Sequence, residues 1–269
     1  MTILDFLYKT KPGRILLRPL ISKPVSDLSG MILDSKISKL IIEPFAKKNE
    51  IDKGCYILDR VDSFNDFFCR RIKPGLRPIE MDSSKMISPC DGLLSVTRIS
   101  GSSILNIKQS RFTVSRLLRD RKLAASFHDG YALVFRLCVN HYHRYIFFDS
   151  GRKYRDRKIK GVYHTVRPVA LEEYPVFVEN SREYSVIDTE NFGRCVQMEV
   201  GAMLVGRIVN KFCGARKVRR GEEKGHFEYG GSTIIVLVPK GKVKLRDDIM
   251  QNVDKNLEIP VRMGEVLGS

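Results

Sequence analysis

From Gly92 onward the chain is a succession of short alternating or unbroken apolar runs cut by glycine-containing turns: GLLSVTRIS, YALVFRLCV, KGVYHTV, REYSVIDT, CVQMEVGAMLVGRIV and STIIVLVPKGKVKL. Runs of this length are too short for helices that bury a face, and a period of two places alternate side chains on opposite sides of a pleated strand. This part of the chain must therefore build sheets. One segment inside it reads differently: TVSRLLRD has helical spacing, with Thr113 placed to cap it. No fixed-period repeat or low-complexity tract interrupts the pattern, so one β-dominated body is expected.

The first fifty residues have a different texture. Ser35 stands before Ile37, Leu40, Ile41 and Phe45, the spacing of one apolar helix face, and Pro44 is expected to kink or end that helix. Nine basic residues against five acidic ones make residues 1–50 basic as well as amphipathic. Two readings follow: a helix lying in a membrane interface, or a helix packed on the main body with its lysines in water. Further on, Ser63 and Asp66 form a capping-box-like start for a helix carrying Phe64, Phe67 and Phe68, which should stop before Pro74-Gly75. The division expected is a helical, membrane-associating region over 1–62 and a β-rich catalytic domain over 63–269.

The net charge of +16 favours polyanionic partners. Interleaved aromatics, zinc knuckles and recognition helices are missing from the sequence, so no nucleic-acid partner is expected and an anionic phospholipid surface is the better candidate. The six cysteines form no C-x-x-C pair and no metal-ligand spacing, which suggests reduced thiols and no metal. The start, MTILDFLYKTKPGRILL, is broken by Lys9, Lys11, Pro12 and Gly13 and does not read as a secretory signal. No apolar run approaches the roughly 20 residues of a spanning helix.

The stretch with the most chemical content is KGHFEYGGST, in which Gly230 and Gly231 precede Ser232 and Thr233 at a turn into an apolar strand. Glycines permit a backbone that lets a hydroxyl approach the carbonyl before it. Attack of Ser232 on the Gly231 carbonyl gives an ester. β-Elimination then frees the chain ending at Gly231 and leaves a dehydroalanine, which hydrolyses to a pyruvoyl group and ammonia. By itself, Gly-Gly-Ser-Thr is also an ordinary hairpin turn.

Its company decides the matter. FFCRRIKPGLRPI, SPCDGLL from Ser88, VNHYHRY, NSREYSV, MEVGAMLVG and KGHFEYGGST occur in that order. Together they resemble the motifs of the phosphatidylserine decarboxylase family across most of the chain. The resemblance implies an α+β fold, a predominantly antiparallel β core of packed sheets with N-terminal amphipathic helices. It also implies a self-cleaving proenzyme in which Ser232 becomes a covalent pyruvoyl cofactor, with a β chain of residues 1–231 and an α chain of 232–269, possible further association of the pair, and no metal. The implied reaction is the decarboxylation of phosphatidylserine to phosphatidylethanolamine, with the pyruvoyl group as electron sink. Peripheral attachment to the cytoplasmic face of a bacterial cell membrane is expected.

Family members use an Asp-His-Ser arrangement to activate the serine, and Asp91 matches the aspartate; outside this context an Asp-Gly turn would explain it. Where many members have D-Y-H-R-x-H, this chain has His141-Tyr142-His143-Arg144-Tyr145-Ile146, so the second histidine is replaced by Ile146. His143, His141 and His164 are the candidates to supply the missing imidazole. The assignment expected here gives His164 to Asp91 for processing and His143 to protonation of the substrate carbon. His128 and His226 read as ordinary surface or turn residues, with His226, six residues before Ser232, kept as a remote candidate. Arg182 and Arg144 are candidates for the substrate phosphate, with a plain ion pair as the alternative reading of each. A decarboxylase of a related aminophospholipid and an inactive membrane-bound scaffold are the rival functions.

Overall fold

The computed structural model describes residues 2–100, 104–107, 110–203, 207–230, 232–255 and 257–269. Its centre is a sheet whose strands run in the order 216–218, 151–153, 182–189, 194–200, 232–238, 131–137, 92–98 and 259–261. Every neighbouring pair along that path is antiparallel. The strand Arg157–Ile159 also pairs with Arg182–Thr189. STIIVLV lies in the middle of this sheet and is buried throughout, which is why it reads as an unbroken apolar run. A strand covered on both faces has no polar side to alternate with.

Each face of the sheet carries its own core. Ala132, Val134, Val196, Met198, Ile235 and Leu237 point into one. Leu133, Phe135, Leu137, Ile234, Val236 and Val238 point into the other. A second sheet of Ile208–Asn210, Glu223–Phe227 and Arg144–Ile146 closes over the latter face and contributes Tyr145, Ile146 and Phe227 to its core. The two layers are tied by a buried ion pair, Lys224 Nζ to Glu199 Oε2 at 2.5 Å. The antiparallel layered core and N-terminal helices expected from the sequence are what the structure has.

Helices α1 (Ile3–Lys9), α2 (Lys11–Leu20) and α3 (Lys23–Leu33) open the chain. Thr2 and Asp5 form a reciprocal capping box on α1. Leu7, Tyr8, Leu17 and Ile21 enter the first of the two cores. The opposite side is left bare: Ile15, Leu16, Leu28, Met31, Ile32, Ile37 and Leu40 are all more than half exposed. The segment after Ser35 departs from the expected helix. Ser35 makes no cap and donates its hydroxyl back to the Ile32 carbonyl. Lys36–Ile41 is a 3-10 turn, and the next helix, α4 (Ile42–Lys48), begins only after it, so that Pro44 falls in its first turn. An N–H there has no intrahelical partner to lose, and the proline starts the helix rather than ending it.

Other expectations hold in detail. Ser63 accepts from the Asp66 N–H to start α5 (Phe64–Phe68), and Thr113 caps Val114–Leu118. The run KGVYHTV is not a strand: Val162 makes one isolated bridge to Asn180, and the chain then enters the helix Pro168–Glu173.

Candidate active site

Ser232 opens the central strand directly opposite Leu137 and is buried. Its side chain shares the face of Ile234 and Val236, toward the second sheet, by the two-residue repeat. Among the described residues nothing bonds its hydroxyl, and the Thr233 hydroxyl is likewise without a partner. A buried hydroxyl left bare costs about 1–3 kcal/mol, and such sites recur where chemistry needs a free group. Gly230, two residues earlier, has φ of 147°, a conformation that a side chain would oppose. Gly231, the other residue of the expected cleavage site, lies outside the described residues.

His143 precedes the strand Arg144–Ile146 and is buried. Its carbonyl accepts from the Phe227 N–H at 3.0 Å, which ties it to the strand running into the Ser232 turn. Its ring sits 4.1 Å from that of Phe68, which in turn meets Tyr229 edge-on at 5.1 Å. Nδ1 lies 3.0 Å from the His141 carbonyl. A carbonyl can only accept, so Nδ1 carries the proton and Nε2 the lone pair. That Nε2 is buried with no partner among the described residues. Burial first, and the Arg70 guanidinium second, pull the imidazole down to about 3, so it is neutral in the folded protein, with its lone pair on Nε2.

The expected pairing of His164 with Asp91 is not formed. His164 Nδ1 is 3.2 Å from the Tyr8 hydroxyl and Nε2 is 3.3 Å from Glu179. Both nitrogens are thus engaged elsewhere, and the ring stacks on Tyr174 at 4.5 Å. Tyr8 belongs to the core on the other face of the sheet from the Ser232 side chain. Asp91 is taken by Arg77, which binds both carboxylate oxygens at 2.7 and 2.5 Å, and by the Met263 N–H at 2.9 Å. The imidazole within reach of its charge is His141, where Asp91 partly offsets the downward pull of burial. Arg77 had no assigned role, although the Arg-Pro of GLRPI was its visible signal.

The two arginines expected at the phosphate are engaged to different degrees, Arg182 fully by backbone carbonyls and Arg144 through Nε and Nη1. The buried Arg182 guanidinium donates to the carbonyls of Leu117, Val178, Asn180 and Arg116. It holds the backbone together, and burial lowers it to about 10. Arg144 donates to Cys69 O and pairs with Glu223 at 2.8 Å. His226 faces a cavity that it shares with Arg144, and His128 is exposed beside Asp129. A different cavity, of about 450 Å³, is lined by Leu137, the strand partner of Ser232, and by Gly230, Cys138, Tyr229 and Arg167. Among the described residues no group of three or more His, Cys, Asp or Glu is placed to hold a metal ion.

Three histidines are held neutral by burial: His143 is lowered to about 3, and His164 and His226 to about 4. Each folded value lies below the ordinary 6.5, so the stability each contributes is intact above 6.5 and is lost as pH falls toward 4 and below. The expected loss is up to about 1.4 kcal/mol per pH unit for each. Urea midpoints measured from pH 7 to 4 should fall steeply below 6.5; a flat profile would show that these rings protonate in place.

A family model for phosphatidylserine decarboxylase matches residues 64–269. This chain belongs to that family. It is 41% identical to the phosphatidylserine decarboxylase proenzyme of Ruminiclostridium cellulolyticum, over 99% of this chain and 91% of that protein. It is 42% identical to phosphatidylserine decarboxylase proenzyme 2 of Clostridium acetobutylicum, over 98% and 91%. The Clostridium tetani proenzyme is 37% identical over 99% and 91%.

Proposed function

We propose that the chain is the precursor of a phosphatidylserine decarboxylase that cuts itself between Gly231 and Ser232 and converts Ser232 into a pyruvoyl group. The observation that carries this reading is a pair of orphans that do not bond each other: among the described residues the buried Ser232 hydroxyl has no acceptor and the buried His143 Nε2 has no donor. A pyruvoyl group fits the position, since it needs neither the hydroxyl hydrogen nor a partner for it, and the Gly230 turn frees the backbone before it. That group supplies an acceptor for the electron pair left when carbon dioxide departs.

The chain's own residues do the rest. His143 takes the Ser232 proton at Nε2, while the His141 carbonyl fixes the tautomer through Nδ1. Asp91 is a positioning residue: through Arg77 and Met263 it pins the segment beside His141. The apolar walls of the cavity, such as Leu137, exclude water from the reacting end. Purified protein mixed with phosphatidylserine vesicles should release carbon dioxide and accumulate phosphatidylethanolamine, and Ser232→Ala should do neither. Conversion of a different aminophospholipid instead would keep the chemistry and change the substrate.

Membrane attachment belongs to the same reading. The exposed apolar side chains of α2, α3 and the following turn share a surface with Lys11, Arg18 and Lys36, which make no ion pair among the described residues. No helix among the described residues is long and apolar enough to cross a membrane, so the reading is of helices lying in the interface. Six free thiols suit a reducing compartment, hence the cytoplasmic face. Each apolar side chain buried in lipid contributes about 1.5–3 kcal/mol and each basic residue about 1. Replacing Ile37 and Leu40 with Asp should lower binding to anionic vesicles at least tenfold in sedimentation assays. Unchanged binding would place the membrane surface elsewhere.

A further inference from the structure

We infer that Arg167 takes the phosphodiester of the substrate head group at the mouth of the cavity beside Ser232, an assignment that rests on the proposed decarboxylase reading. The cavity has an inner end at the buried Leu137 and Gly230 and an outer end at the exposed Arg167 and Pro168. Leu4 of α1 lines it too, and the adjoining Ile3 is 80% exposed on the apolar helical surface. A phospholipid has a fixed order: acyl chains, glycerol, phosphate, then the serine whose amine reacts. With the serine toward Ser232 and the acyl chains toward α1, the phosphate falls at the mouth.

Two guanidinium groups line this cavity, and they are in different electrostatic states. Arg136 is neutralised by Glu258, which it grips through Nε and Nη2 at 2.8 and 2.6 Å, and its Nη1 faces the Cys138 sulfur at 3.1 Å. Arg167 bonds Thr165 only through its backbone N–H, and its guanidinium forms no ion pair among the described residues. Arg167 and Tyr229 both line the cavity, and the Arg167 charge reaches the Tyr229 phenol, where it partly offsets the upward push of burial. Position matters to the chemistry as well. A cation held on the substrate carboxylate would stabilise the charge that must be lost with carbon dioxide, whereas one on the phosphate grips a charge that persists through the reaction. Such uniform binding appears in KM and leaves kcat alone.

The test uses the processed enzyme, with cleavage of each variant verified by intact mass. Arg167→Gln should cleave itself normally and show KM for phosphatidylserine raised roughly 10- to 100-fold, with kcat within about twofold. Arg167→Lys should recover part of the loss, since lysine keeps the charge but not the fork. The second substrate is the neutral O-methyl phosphotriester of phosphatidylserine, on which wild type and Arg167→Gln should differ by less than about twofold because the charge has gone. An unchanged KM on phosphatidylserine, or an equal loss on both substrates, overturns the assignment while leaving the decarboxylase intact. A wild-type protein that neither cleaves nor releases carbon dioxide overturns the function and this assignment with it.

Discussion

Under denaturing conditions the wild-type protein is expected to give two masses, for residues 1–231 and 232–269, while Ser232→Ala gives one chain of 269 residues. The smaller wild-type chain should be lighter by one ammonia than a chain starting with serine. Alanine removes the attacking oxygen and little else. The site is buried and the hydroxyl bonds no described residue, so no hydrogen bond between them is sacrificed and folding should survive. Loss of cleavage in a folded variant therefore reports chemistry and not stability. Under native conditions the two wild-type chains should stay together. Strand Ser232–Val238 pairs along its length with Tyr131–Leu137 on one side and largely with Arg194–Val200 on the other, and its departure would bare both cores. One uncleaved chain in both proteins, with lipid present, would leave the inactive-scaffold reading standing.

What could be read in the sequence was what depends on neighbours in the chain. The alternation in REYSVIDT and YALVFRLCV and the unbroken STIIVLV marked their strands, and Thr113 and Ser63 marked their helices, because burial pattern and capping are local. What could not be read was where a long polar side chain would end. Arg182 looked like a phosphate ligand because its motif carried it. Its partners are carbonyls at 116 and 117, brought to it only by folding, together with those of Val178 and Asn180 beside it. His164 looked like a strand residue with a fixed orientation, yet its orientation is set by Tyr8, 156 positions away. Arg167 gave no signal at all, since its importance lies in being the cationic wall residue without an ion-pair partner among the described residues.

Replacing His143 should slow self-cleavage, whereas replacing His164 should not. A positioned base contributes about 10²- to 10⁴-fold, so His143→Ala should retain mostly uncleaved precursor long after the wild type is fully processed. The imidazole is lowered to about 3, so its Nε2 lone pair stays available at mildly acidic pH. Cleavage by the fraction that stays folded should accordingly hold its rate from pH 7 to 5, where an ordinary histidine base would be protonated and lost. His164→Ala should cleave at the wild-type rate but melt earlier, by about 1–3 kcal/mol, because the buried Tyr8 hydroxyl loses a partner and α1 loses an anchor. Asp91 lies within electrostatic reach of His141, which makes that residue the control. Arrest in His141→Ala with normal cleavage in His143→Ala would move the base to His141, and arrest confined to His164→Ala would return it to the face of the sheet opposite the Ser232 side chain. With three single substitutions read by one mass measurement, each imidazole has its own outcome.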